Sequence, residues 1–180
     1  MGYRKYVADF TIREEINDRG RVVRTAVYQG PLFSYVLDHG ARRRYAIWFS
    51  ILMLAEWALF ITSLLFPLDT MGQFYIMVPY GVRFLPLFFM SMSAFSFLTA
   101  KEPLKREQND GLYLRTSHSL IFLVIFGGIA LLAAIVAAIV YLKLSGADIY
   151  LLVAMIVQLG LDSIAFLLRK GMKTLELKGK

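Results

Sequence analysis

The chain contains no cysteine and only two histidines, His39 and His118, in 180 residues. Without thiols, disulfide frameworks, cysteine-bound zinc, iron–sulfur clusters and thiol catalysis are excluded, and the compartment leaves no redox trace. Charge is also scarce. Asp, Glu, Lys and Arg make up 18% of the chain and hydrophobic residues 58%, against about 25% and 45–50% in an ordinary soluble domain. Phosphate loops, Rossmann glycine patterns, H-E-x-x-H and G-x-S-x-G are missing as well. No catalytic residue, cofactor or metal ligand is therefore expected, and the reading leans away from an enzyme. Thr116-Ser117-His118-Ser119 places hydroxyls beside an imidazole, but Ser and Thr in such a place are expected to cap a helix.

What fills the chain instead is four apolar runs, at about residues 46–66, 74–100, 119–142 and 149–168. Each reaches the roughly 20 residues that a helix rising ~1.5 Å per residue needs to cross a ~30 Å hydrocarbon layer. They do not alternate as barrel strands would, so helices are the reading. The expected fold is an all-α integral membrane protein, a four-transmembrane-helix bundle at 45–168. It carries a cytoplasmic segment at 1–44 and a basic cytoplasmic tail at 169–180. No run lies near the amino terminus, so no cleaved signal is expected and the spans themselves are the anchor.

Orientation follows from Lys and Arg. Of the 20 in the chain, all but Arg83 and Lys143 lie in 1–44, 101–118 or the tail. This bias predicts that both termini and the middle connection are cytoplasmic. Basic residues that flank spans rather than line a groove do not suit nucleic acid. The expected partners are the lipid bilayer and a protein partner or a second copy.

In the amino-terminal segment, stretches rich in Val, Ile, Thr, Phe and Tyr flank Asn17-Asp18-Arg19-Gly20, which predicts a small β-hairpin over about 6–28. A two-stranded hairpin is marginal alone in water, so something should cover it. After Gly30-Pro31, the spacing of Leu32, Phe33, Val36 and Leu37 predicts an interfacial helix at about 31–39, with Arg42, Arg43 and Arg44 at the headgroups. A charged linker is the plainer alternative.

Only Glu56, Arg83 and Asp162 bring charge into the runs. Glu56 and Arg83 fall at similar depths on runs joined by a short turn, which predicts an intramembrane ion pair between them. Arginine cannot shed its charge, whereas a lone glutamate in lipid would take up a proton. Pro79 and Pro86 bracket Arg83 and free the carbonyls of Tyr75 and Val82, which predicts a kink and two further acceptors for the guanidinium. Gln158 and Asp162 share a helix face and are expected to hydrogen-bond between helices, with Asp162 toward headgroup depth. Gly127, Ala130, Ala134, Ala137 and Ala138 form a small-residue stripe expected to serve helix packing.

Two functions remain in view. The first is a non-enzymatic accessory or scaffolding subunit that docks through the cytoplasmic hairpin. The second is a small ion- or proton-coupled transporter or channel using Glu56 and Arg83.

Overall fold

A computed structural model describes residues 4–16, 21–66, 72–142 and 144–177. The chain begins with one helical turn, α1 (Arg4–Val7), and two strands, β1 (Phe10–Ile16) and β2 (Val22–Tyr28). These pair antiparallel from Phe10↔Tyr28 to Ile16↔Val22, which is the expected hairpin with a later start. Asn17, Asp18, Arg19 and Gly20, where its turn is expected, lie outside the described residues. The base is clamped: the Asp9 carbonyl accepts from the amides of Gln29 and Gly30 at 2.8 and 3.2 Å. Position 30 must be glycine for this approach, since a Cβ there would stand 2.7 Å from the Asp9 side chain and from the Tyr28 hydroxyl.

Next in chain order are β3 (Leu32–Tyr35), α2 (His39–Leu65), α3 (Phe74–Val82) and α4 (Phe84–Thr99). Then come β4 (Leu104–Lys105), α5 (Arg106–Tyr141), α6 (Gly146–Leu168), a 3₁₀ turn at Arg169–Met172 and β5 (Thr174–Leu177). Strand β3 lies between β4 and β5, antiparallel to both. The interfacial helix expected over 31–39 is thus replaced by a strand. Its partners come from the middle connection and from the tail, and local periodicity carries no information about such distant pairing.

Four helical segments are long and apolar enough to cross a membrane: His39–Leu65, Phe74–Thr99, Arg106–Tyr141 and Gly146–Met172. α2 packs on α4 and α6, and α5 on α3, α4 and α6. Consecutive spans are therefore neighbours in an up–down ring. Because β3, β4 and β5 adjoin α2, α4, α5 and α6, the sheet closes one end of the bundle. Phe49, Met53, Leu87, Met90, Leu120, Leu123, Leu151 and Met155 fill the interior, while Leu54, Phe95, Leu132 and Ile139 face outward.

The helices overrun the apolar runs toward the sheet. α2 starts where Asp38 accepts from the amides of Gly40 and Ala41, an N-cap that places Arg42, Arg43 and Arg44 inside the helix. α5 starts at Arg106, so Thr116, Ser117 and Ser119 lie within it and do not cap it. Thr116 and Ser117 donate back to the carbonyls of Leu112 and Tyr113. Hydropathy located the apolar core of each helix but not its polar turns, which good helix formers such as Arg, Glu, Gln and Leu carry.

Arg42 is also displaced from the expected headgroup position. It is buried and bonds Glu102 at 2.9 Å, with its guanidinium carbon 4.9 Å from the centre of the Tyr35 ring. Arg43 and Arg44 remain exposed. The Tyr35 hydroxyl is buried without a hydrogen-bond partner among the described residues. Burial pushes its pKa up to about 12, the Arg42 cation opposing the rise and Glu102 adding to it.

An unfolded tyrosine ionises near 10, so its unfolded state loses the proton first as pH rises. Tyr35 should contribute a loss of stability between about pH 10 and pH 12. Equilibrium unfolding in detergent should show Tyr35→Phe no less stable at neutral pH and less sensitive over that alkaline interval. Identical alkaline limbs for the two proteins would contradict it.

Candidate functional site

The second span breaks at Arg83, the residue between α3 and α4. Pro86 has no N–H for the Val82 carbonyl, and the Arg83 amide bonds Tyr80, only three residues back, at 3.2 Å. The break thus falls between the two prolines, at the charged residue. Arg83 is 1% exposed and turned fully into the bundle.

Two carboxyls meet it. Arg83 Nη2 donates to Asp162 Oδ2 at 2.9 Å and to Glu56 Oε2 at 3.5 Å, and both acidic residues are 0% exposed. The expected Glu56–Arg83 pair is present, but it is the looser of the two contacts. Asp162 is drawn to the same centre and does not sit apart toward the headgroups. Helix α2, the α3–α4 break and helix α6 are therefore tied through one nitrogen. The carbonyls of Tyr75 and Val82 do not receive the guanidinium, whose hydrogen bonds go to the carboxylates, while Nη1 has no partner among the described residues.

Gly127 explains how the guanidinium fits. A Cβ at that position would stand 2.5 Å from Arg83 Nη1 and 3.1 Å from Leu159 Cδ2. The missing side chain lets the cation lie against the backbone of α5. Ala130, Ala134 and Ala137 on the same stripe are buried and Ala138 is half-buried, in keeping with close helix packing.

Sequence reading missed two members of the cluster. Tyr80 and Ser63 are 0% exposed, and the Tyr80 hydroxyl faces Ser63, Gln158, Arg83 and Glu56. Ser63 and Gln158 stand within reach of a hydrogen bond to it, but none is fully formed among the described residues. Tyr80 is stacked on Phe60 at 5.3 Å between ring centres, which fixes where the hydroxyl points. An aromatic residue in an apolar run has no signal of this kind in the sequence. Both polar side-chain atoms of Gln158, Glu56 Oε1 and Asp162 Oδ1 are also buried and unpartnered among the described residues.

Chemically, one guanidinium balances one carboxylate. The second carboxyl is either a surplus anion or, when protonated, a neutral donor beside the amide and hydroxyl groups. The centre can tie helices together or hold a proton or small polar species. No family model matches the chain, and neither does any curated protein or solved structure.

Truncating one partner of a buried ion pair costs about 3–5 kcal/mol, because it strands the other charge. Arg83→Leu should cost about that much, and Gly127→Ala should cost less, through displacement of the guanidinium. In a double-mutant cycle read by unfolding in micelles, the two should couple, with most of the Gly127→Ala cost vanishing in the Arg83→Leu background. Additive costs would mean that Gly127 serves helix packing alone.

Proposed function

We propose that the chain is a four-span integral membrane protein with both termini and the middle connection in the cytoplasm. The inside-out distribution of side chains supports this reading. The three charges deep in the spans point inward at 0–1% exposure, whereas outward positions such as Leu54, Phe95, Leu132 and Ile139 are 65–70% exposed. Water around such a bundle would meet the wrong face, and lipid the right one. Segments 1–44, 101–118 and 169–180 hold nearly all the Lys and Arg, and their described residues lie at the sheet-capped end, the end that charge bias assigns to the cytoplasm.

Its role is that of a non-enzymatic accessory or scaffolding subunit that docks a partner protein or a second copy through the hairpin. The observation that carries this is the hairpin's mounting. Its base is fastened: the Arg106 amide donates to the Tyr28 hydroxyl at 3.0 Å, and the Lys105 ammonium lies over the rings of Phe10 and Tyr28. Its far end is uncovered, with Ile12, Ile16 and Val22 at 68, 77 and 61% exposure. They share one face with the Glu14–Arg24 ion pair. A two-stranded sheet fastened at its base, with no further strand on either edge among the described residues, is suited to pairing with another chain.

Reporter fusions at either terminus should report cytoplasm. Replacing Ile12 and Ile16 by Asp should dissolve the native assembly in mild detergent, read as a fall in mass, with thermal unfolding of the bundle unchanged. An unaltered mass would count against docking by the hairpin.

The unpartnered polar atoms around Arg83 favour a second reading, a small ion- or proton-coupled transporter or channel. Glu56, the more loosely held carboxyl, is then the exchanging group. In liposomes, Glu56→Gln would abolish a pH-dependent flux while leaving the fold intact. Absence of any such flux in the unaltered protein would remove this reading.

A further inference from the structure

Helix α5 runs unbroken from the polar middle connection into the apolar run, so one of its faces passes from polar to apolar without changing direction. Gln108, Gly111, Arg115, Phe122 and Phe126 recur along that face at helical spacing. Two concavities share Arg115 as a wall there. The one toward the sheet has a volume of about 790 Å³ and is lined by Lys101, Lys105 and Arg115 with the hydroxyl residues Ser96 and Thr99. The other is an apolar groove of about 340 Å³ walled by Val82, Leu85, Phe89, Phe122 and Phe126, with Arg115 and His118 at its mouth.

Arg115 borders both. It is half-buried and has neither an ion pair nor a hydrogen bond to any of the described residues. Its Nη2 lies 3.9 Å from where a Gly111 Cβ would stand, so the guanidinium runs back along α5 toward the polar concavity. Of the two carboxylates there, Glu102 is already bonded to Arg42. With Lys105 held over the hairpin rings, Arg115 and Lys101 face Glu107 alone, and the site has room for an anion.

We propose that the joined concavities bind an anionic phospholipid. Its phosphate sits at Arg115 with Lys101 on the same rim, and one acyl chain lies in the groove between α4 and α5. Length and charge both fit. From Arg115 to Phe126 the helix rises roughly 16 Å at ~1.5 Å per residue, close to half of a ~30 Å hydrocarbon layer. Arginine is the cation best matched to phosphate, because its fork donates two parallel hydrogen bonds. An apolar groove alone would take any lipid. Every phospholipid carries that phosphate, so selection lies in net charge: the uncompensated cations at the mouth repel a headgroup that bears its own ammonium. The proposal rests on the membrane reading given above and places the lipid in the cytoplasmic leaflet.

The test is native mass spectrometry of the full chain in detergent, titrated with phosphatidylglycerol or phosphatidylcholine of identical chains. The unaltered protein should retain phosphatidylglycerol preferentially. Arg115→Gln should lower its apparent affinity roughly tenfold or more and remove the preference, while Arg115→Lys restores part of it. Leu85→Trp, which fills the groove, should weaken both lipids alike, and glycerol 3-phosphate without acyl chains should not displace the bound lipid. Equal retention of the two lipids by the unaltered protein, or a preference untouched in Arg115→Gln, would overturn the proposal. Release of the chain from membranes by alkaline carbonate would sink the membrane reading and this site together, whereas an integral chain lacking the preference would sink this site alone.

Discussion

Arg83 cannot be neutralised and cannot reach water, and the rest of the bundle is arranged around that constraint. A guanidinium enclosed by four helices is tolerable only when anions come to it. Asp162 does so from α6 at 2.9 Å and Glu56 from α2 at 3.5 Å. The α3–α4 break sets the arginine inward, and Gly127 gives up its side chain so that the cation can lie against α5. All four spans thus meet at one group. Helix pairs in lipid gain little from apolar contact with each other, since lipid tails are equally apolar, so a shared charge centre is well suited to fixing their register.

A second lock sits at the end of the bundle. The β4-β3-β5 sheet joins residues before the first long helix, between the second and third spans, and after the fourth. Arg42, in the first turn of α2, adds a part-buried ion pair to Glu102 of the middle connection. Arg169 adds a hydrogen bond to Ser117 at 2.9 Å and lies over Phe166 and Tyr113. The cationic residues that sequence bias assigns to the cytoplasm are therefore partly structural. Some tie helix ends together, and Lys105 steadies the base of the hairpin. The same population of charges thus supplies much of the cohesion at this end of the bundle.

Much of the plan is legible in the amino-acid order because it is written in local patterns. Apolar runs long enough to cross a bilayer mark the four helices, and β-rich stretches around Asn17–Gly20 mark the hairpin. The depth of two charges on adjacent runs anticipates the contact between Glu56 and Arg83. What escaped depends on contacts between distant residues. Leu32, Phe33, Val36 and Leu37 have helical spacing, yet Leu32–Tyr35 is a strand, because Leu104 stands opposite Phe33 and Leu175 opposite Ser34. Asp162 lies six residues from the end of its run, where α6 also ends, and only the packing of α6 against the other spans brings it to Arg83. Tyr80 and Ser63 gave no signal at all, and the part Gly127 plays for Arg83 looks in sequence like ordinary small-residue packing.

The most direct measurement of this account is a dipolar-recoupling solid-state NMR experiment on the full chain in lipid bilayers, with guanidinium nitrogens and side-chain carboxyl carbons isotopically labelled. The account predicts coupling of the Arg83 terminal nitrogens to the Asp162 carboxyl, with weaker coupling to Glu56, and loss of each signal on replacing the corresponding acid by its amide in unlabelled form. An Arg83 guanidinium coupled to neither carboxyl would contradict it.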